Sequence, residues 1–447
     1  MKIREKNNQI KSGKNIIEKF NDVPFMAVAL GGDMNCYGVA RTFYEAYGIK
    51  TVMIGRSPVF PTAHSGLVER YYDADLLEDG PLLRILGEID SKYPNKKKFL
   101  FATNDDYVRH IIHNKSRIES IGKTDMAVRI GGMGMGRPAP DTAGYIVPTI
   151  EEALFDRLDD KDSFYRMCEL YGLPYPRSIS FDCASDDVDR FEIPFDYPIF
   201  IKPASNVIYF NFEFEGKQKG YKINDAAELR RVMGRIQGAG YPGKFVFQEY
   251  IEGDDDSMYI FSAYCDRTGR VRMTSGGRIL MHDRTPELIG NYNAITDARD
   301  DRLTDRLRDF LEKIGFVGIC HFDVQYDARR GDYVVYEINI RQGRSNYYMT
   351  ASGMNYAKLL VNEYIAGENI SGPQPDYGYT VANRPFIVSN VSRRRLIRAV
   401  GREKVKRVPT KNFYRFQLAP YDRSLKNLVT MRQLERSIMR SFIKYNK

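Results

Sequence analysis

No apolar run in the 447 residues approaches the roughly 20 that a membrane-spanning helix needs. The N-terminal stretch MKIREKNNQIKSGKN has no apolar h-region, so no secretory signal is expected. The five cysteines (Cys36, Cys168, Cys183, Cys265, Cys320) are odd in number, scattered and without a C-x-x-C pair, which argues against a disulfide framework or a cysteine zinc site. These absences lead to the expectation of a soluble cytoplasmic protein with reduced thiols. Internal repeats and low-complexity linkers are missing as well. GGDMN (31–35) is not G-x-G-x-x-G, and the acid expected roughly 20 residues further on is missing, so dinucleotide binding is not expected. His110 and His113 are three apart in HIIH but have no third ligand, so they read as structural. No Ser-His-Asp or Cys-His set stands out.

What is present is a globular composition, 43% hydrophobic and 28% charged, in a chain long enough for two or three domains. The charge is uneven. Residues 388–447 hold 17 Lys and Arg against 3 Asp and Glu, a net of +14; the other 387 residues hold 50 against 55, a net of −5. The pI near 9.0 therefore belongs to the last 60 residues. Such a segment attracts anions. Its plainer reading is a solvated helical face, with Leu425, Leu428, Met431, Leu434 and Ile438 at nearly helical spacing packing on the body. SRRRLIRAVGREKVKRVPTKNFYRF mixes base and aromatic, as a nucleic-acid-binding module would. The acidic remainder and the lack of a reader motif oppose that reading, and no specific nucleic acid is expected as a partner.

Residues 1–24 read as a polar arm. PFMAVAL (24–30), KTVMIG (50–55) and FLFATN (99–104) read as buried strands alternating with helices at 36–48 and after Asn104, so residues 25–148 form an α/β unit with a parallel sheet. The Gly- and Pro-rich loop GGMGMGRPAPD (131–141) has no assigned place. A second, α+β unit spans 149–387. It holds one helix over 149–172, a strand PIFIKPA (198–204), a strand-to-turn KFVFQEYIEG (244–253), a hairpin over 257–273, an amphipathic helix over 302–315 and a hairpin over 317–341. Residues 388–447 are set apart as a basic C-terminal extension.

The last hairpin carries the sharpest chemistry. In YEINIR, Glu337 and Asn339 are two apart on a strand and so share a face. Asp323 on the antiparallel partner reaches the same face. Two carboxylates and a carboxamide oxygen are hard ligands suited to Mg²⁺. Lys202 ends an apolar strand, where an ammonium is costly unless it meets an anion. Lys161 precedes a helix in DDKDSF. Glu249, Tyr250, Ile251 and Asp255 supply a hinge and an acid of the kind an adenine and a ribose need.

Lysine, lysine, strand–hinge–acid, then D…E-x-N-x-R in a hairpin resembles the ATP-grasp superfamily over roughly residues 148–372. The first unit resembles the pre-ATP-grasp domain. The resemblance implies an α/β N-terminal, Rossmann-like pre-ATP-grasp domain followed by an α+β ATP-grasp domain with a lid subdomain (roughly 163–248). It implies that Lys161 and Lys202 hold the phosphates, that Glu249, Tyr250 and Ile251 hold adenine mostly through backbone, and that Asp255 holds the ribose. Asp323, Glu337 and Asn339 would carry Mg²⁺, two ions, and Arg341 with Arg344 would be catalytic. The loop SNVIYFNFEFEGKQKGYK departs from the glycine-rich pattern, with Gly216 and Gly220 alone.

GGDMNCYGVARTFYEAYGIK, IKPA, QEYIEGDDDSM, IGNYNAI and EINIRQGRSNYY are similar to the bacterial D-aspartate ligases, which build the side bridge of peptidoglycan precursors. This narrower resemblance implies ATP-dependent amide formation through an acyl phosphate, which requires charge neutralisation and positioning rather than a protein nucleophile. Asp33, Asn35, Arg344 and Ser345 are then expected to meet a small amino acid, whose second carboxylate suits an arginine. The other partner is an amine-bearing peptide precursor carrying a diphosphate and carboxylates, which the basic segment would attract. Its lipid-linked forms make peripheral contact with an anionic membrane surface an expectation too. Another amino-acid or dipeptide substrate is the alternative. A non-catalytic ATP-binding scaffold is opposed by the intact Asp323, Glu337, Asn339 and Arg341.

Overall fold

The protein is described here from a computed structural model covering residues 23–123, 144–204, 209, 212–253, 255–285, 291–365, 384–422 and 424–445. The arm before residue 23, the loop 131–141, Asp254 and the side chain of Asp255 lie outside the described residues. Among the described residues no helix is long and apolar enough to cross a membrane.

Sixteen strands are described, in three sheets. The first sheet takes β1 (Phe25–Leu30), β2 (Thr51–Gly55), β3 (Val68–Tyr72), β4 (Lys97–Ala102) and β5 (Tyr145–Ile146), all parallel, in the order β3-β2-β1-β4-β5. β1 is buried along its whole length, as a central parallel strand must be. The helix Met34–Tyr47 follows it, capped by the Asp33 carboxylate, which accepts from the backbone N–H of Asn35 (3.1 Å) and Cys36 (3.2 Å), and closed by left-handed Gly48. β3 is not visible in the sequence reading because VERYY is a half-exposed edge strand without an apolar run.

The second sheet is antiparallel: β6 (Ser178–Asp182), β7 (Ile199–Pro203), β8 (Tyr221–Ile223) and β9 (Lys244–Glu249), in the order β6-β9-β7-β8. Its own core of Phe181, Ile199, Ile201, Phe245 and Phe247 is separate from the main one. The third sheet holds β10 (Met258–Cys265), β11 (Val271–His282), β12 (Tyr292–Asp297), β13 (Gly318–Asp327), β14 (Asp332–Asn339), β15 (Ile387–Ser389) and β16 (Phe413–Arg415), in the order β14-β13-β10-β11-β12-β15-β16. The helix Asp301–Lys313 packs Leu303, Leu307, Phe310 and Leu311 on it. Gly318 opens β13 with φ +97°, and a Cβ there would sit 2.1 Å from the carbonyl oxygen of Pro148, so only glycine lets the chain between the first two sheets lie on the third.

Three expectations change. The helix expected over 149–172 is two, Glu152–Asp159 and Lys161–Tyr171, because Asp160 takes an extended conformation and caps the second by accepting from Ser163 N–H (2.8 Å). The helix after Asn104 breaks at Asn114, whose side chain donates to Asp79 and to the His110 carbonyl. The boundary drawn at residue 388 falls inside β15, and residues 388–447 are not an appendage: β15 pairs with β12, β16 pairs with β15, and the helix Leu425–Tyr445 buries Met431, Ile438 and Phe442. Leu425, expected in that apolar stripe, is 78% exposed. Many of the segment's cations serve the fold. Arg393 donates to the carbonyls of Val405 and Val408, Arg395 and Arg415 pair with Glu435 (both 3.3 Å), and Lys404 pairs with Asp256. Buried Arg41 donates to the Arg415 and Phe416 carbonyls, tying the segment to the first sheet.

Candidate active site

β13 and β14 set Asp323 directly opposite Glu337. Asn339 lies two residues beyond Glu337 and donates Nδ2 to Asp323 Oδ2 (3.2 Å), so the three donor groups form one cluster. Asp323 is further oriented by His321, whose Nε2 lies 3.4 Å from Asp323 Oδ1 and 3.1 Å from the Tyr292 hydroxyl, while its Nδ1 meets Ser262 (3.0 Å). These positioning groups were missed in the sequence because they are three β-strand residues with no motif. Lys161 Nζ lies 3.4 Å from Glu337 Oε2. Burial alone would raise the Glu337 carboxyl, but Lys161 and Lys202 beside it hold it well below the usual carboxylate range. Burial, and then repulsion from Lys161, pushes the Lys202 ammonium down to about 7. Two carboxylates and a carboxamide with cations facing them fit a divalent cation bound to a polyphosphate.

These groups open on a cavity of about 600 Å³ between the second and third sheets. Lys161, Lys202, Asp323 and Glu337 line one part of it, and Tyr250, Ile251 and Gly253 of the hinge after β9 line another. Phe200, Met258 and Tyr336 give it apolar walls able to hold a flat base. The Glu249 side chain does not point at a ligand: it accepts from the Arg177 backbone N–H (2.9 Å) and Nε (3.0 Å) and pairs with Arg330, leaving the backbone as that residue's means of contact. The Ile251 carbonyl accepts from Gln325 Nε2 (3.1 Å), which fixes the hinge.

A second cavity of about 410 Å³ adjoins the first, with Asp283 lining both. Asp33, Arg341 and Arg344 face it. Burial raises the Asp33 carboxyl, opposed by its bond from Cys36 N–H and by Arg341 and Arg344. Burial would lower Arg341, but Asp105, 2.8 Å away, and Asp33 outweigh it, so this guanidinium stays charged. Arg344 donates to Met34 Sδ at 3.2 and 2.9 Å, a weak acceptor, and forms no ion pair among the described residues. Asp105 also lines a third cleft of about 1160 Å³, bounded by the helices Asp105–His113 and Glu152–Asp159 and by Lys217–Lys219. His110 and His113 face that cleft, His113 beside Glu152 (3.2 Å), and no group of three His, Cys, Asp or Glu side chains able to hold a metal forms among the described residues.

Two expected substrate residues sit elsewhere. Asn35 is fully buried and donates to the carbonyls of Thr103 (3.0 Å) and Gln342 (2.6 Å), while Asn346 donates to its Oδ1 (2.7 Å). It is a clasp between the helix Met34–Tyr47 and the loop after β14. Ser345 is buried and does not line the cavity. The clasp depends on Gly38, where a Cβ would lie 2.4 Å from Asn346 Oδ1. Gly38→Ala is expected to displace Asn346 and shift Arg341 and Arg344, lowering the melting temperature by several degrees and raising the amino-acid KM more than the ATP KM. Unchanged melting and kinetics would show that the loop absorbs the methyl group.

No family model matches the chain. The architecture is that of solved ATP-grasp structures. The biotin carboxylase domain of the Hydrogenobacter thermophilus 2-oxoglutarate carboxylase, solved with MgADP and bicarbonate, superposes with a TM-score of 0.54 at 14% identity, covering 81% of this chain and 74% of that one. N5-carboxyaminoimidazole synthetase from Staphylococcus aureus superposes at 0.53 with 13% identity, over 88% of this chain and 89% of that one. Two lobes about a nucleotide-sized cavity, with carboxylates and lysines facing each other across it, thus belong to an ATP-grasp fold, and the sequence relative that follows makes the chain an ADP-forming carbon–nitrogen ligase. In sequence the chain is 34% identical over 347 residues to the D-aspartate ligase of Enterococcus faecium (strain Aus0004), covering 76% of this chain and 77% of that protein. The chain belongs to the D-aspartate ligase family.

Proposed function

We propose that this ligase activates D-aspartate at a carboxylate and joins it to the amine of a peptidoglycan precursor peptide. The observation that carries the reading is the adjacency of the two cavities: a cation- and carboxylate-lined nucleotide cavity shares its wall residue Asp283 with a polar cavity bearing two arginines and Asp33. Lys161 and Lys202 neutralise the phosphates, and the backbone of Glu249, Tyr250 and Ile251 holds adenine, with Asp255 assigned to the ribose. Asp323, Glu337 and Asn339 would hold Mg²⁺, two ions, which when bound would neutralise phosphate charge. The substrate carboxylate takes the γ-phosphoryl group from ATP, releasing ADP. The acceptor amine then attacks the acyl carbon, phosphate leaves, and the amine's proton is lost to solvent. Arg341 stays charged and lines the second cavity, with its partner Asp105 on the wall of the third cleft, placed to stabilise the anion that develops in both steps. Arg344, which forms no ion pair among the described residues, suits a substrate carboxylate.

The cleft bounded by the helices Asp105–His113 and Glu152–Asp159 gives the peptide acceptor a route to Arg341 through Asp105. Steering of that anionic precursor, and any contact with an anionic membrane surface, falls to the exposed cations Arg394, Arg398 and Arg402, not to Arg393 and Arg395, which the fold uses. The lid role of the second sheet, within roughly residues 163–248, belongs to the same proposal.

The deciding experiment is an ADP-release screen of D- and L-amino acids, with and without a muropeptide precursor, over a salt series. D-aspartate is expected to support release, faster with the precursor, with the precursor KM alone rising with salt. Release with serine or alanine and with neither aspartate enantiomer would overturn the D-aspartate reading and leave the ligase class intact.

A further inference from the structure

Four neighbouring strands of the third sheet end in polar side chains at the same edge of the second cavity. Asp283 follows β11, Asn293 lies in β12, Asn390 follows β15, and Gln417 stands two residues past β16. The parallel pairing of β15 with β16 brings the last two side by side, since Ser389 pairs with Arg415. Three of the four are linked in a row: Asn390 Nδ2 donates to Asn293 Oδ1 (3.1 Å), and Asn293 Nδ2 donates to Asp283 Oδ2 (3.3 Å). Gln417 stands outside this row. It is 2% exposed, it lines the cavity, and neither its Nε2 nor its Oε1 has a partner among the described residues. Asn390 Oδ1 is likewise unpaired among them. A buried primary amide with both ends unmatched destabilises the free protein, whereas buried polar groups in native structures are as a rule paired. A ligand that brings both a donor and an acceptor completes it.

We propose that Gln417, with Asn390 beside it, is the specificity-determining contact for the amino-acid substrate. The inference rests on the ligase reading above and names the residue that selects its small substrate. Gln417 Nε2 donates to a substrate carboxylate oxygen and Oε1 accepts from the substrate ammonium. An amino acid carries those two groups on one carbon, so a single amide meets both, and a hydroxy acid of the same shape leaves the acceptor weakly served. Asp283, at the far end of the row, supplies negative charge for the ammonium; Arg344, across the cavity, supplies positive charge for a carboxylate. The C-terminal segment thereby meets the amino acid too, through Asn390 and Gln417, beside the amine-bearing partner at which its charge pointed.

The test compares wild type with Gln417→Leu and Gln417→Met in steady-state ADP release, varying amino acid and ATP separately, alongside thermal melting of the free proteins. The KM for the amino acid is expected to rise roughly tenfold or more, the preference over the matching hydroxy acid to shrink by a similar factor, and the KM for ATP to stay within about twofold. The free variants are expected to melt at or above the wild-type temperature, because an unpaired buried amide is gone. An unchanged amino-acid KM, an equal rise in both KM values, or a lower melting temperature for both variants would overturn the proposal and make Gln417 structural. If wild type turns over an amino acid other than aspartate, the D-aspartate reading fails and the same comparison is made with that amino acid.

Discussion

Glu337→Gln is expected to slow ADP release by roughly a hundredfold or more in a protein that still folds. Glu337 faces the metal partners Asp323 and Asn339 and also Lys161 and Lys202, so it couples the cation site to the phosphate site. Gln keeps the length and one acceptor oxygen but removes the charge. Two lysines then confront Asp323 alone, and the affinity for a divalent cation falls with the ligand charge. The strand itself has little reason to fail, because Tyr333, Val334, Val335 and Ile338 of β14 remain buried. MgADP stabilises a protein that binds it in proportion to its saturation, so the variant should also lose most of the melting shift that MgADP gives wild type. A folded Glu337→Gln protein with near-normal turnover would remove this residue from the metal set.

That cluster was legible because a strand's period of two and a tight hairpin fix which side chains meet, and Asp323 does stand opposite Glu337. Lys202 stood out for a related reason, a cation near the end of an apolar strand, whereas Lys161 opens a helix and was marked, like the hinge Tyr250–Ile251, by its place in the order of motifs. Asn35 misled because a polar residue in a turn before a helix looks the same whether it meets a ligand or bridges two carbonyls. Only the fold brings Thr103, Gln342 and Asn346 to it, across separations of 68 residues and more. The C-terminal segment misled through its charge. Its +14 hid two three-residue strands, too short to show a pattern, that extend the third sheet and carry Asn390 and Gln417 to the cavity. Neutral amides have no signature in a single sequence, and what marks Gln417 is the lack of a partner, a property of the packed chain.

Lys202→Met is expected to raise the KM for ATP by roughly ten- to a hundredfold, to leave the amino-acid KM nearly unchanged, and to give a free protein at least as stable as wild type. Lys202 lies on β7 paired with Val246, in a strand whose neighbours Ile201 and Pro203 are buried. Its ammonium stands 5.9 Å from the centroid of the Tyr336 ring, at the wall of the nucleotide cavity. Burial first, then the like charge of Lys161, brings it down to about 7, against the pull of Glu337 and Asp323. In the free protein the charge is therefore a burden, and bound phosphates are what make it favourable. Methionine keeps an unbranched apolar stem of similar length and removes the burden along with the phosphate contact. The pH dependence follows with its sign. The folded value lies below the ordinary 10.5, so the destabilisation of wild type is fully present below about 7 and is relieved as pH rises toward 10.5. The melting advantage of Lys202→Met should be largest in acid and should close through that window. Unchanged ATP affinity would take Lys202 out of the phosphate site. A variant that melts well below wild type at every pH would show instead that the pairing of Lys202 with Glu337 holds the two lobes together without nucleotide.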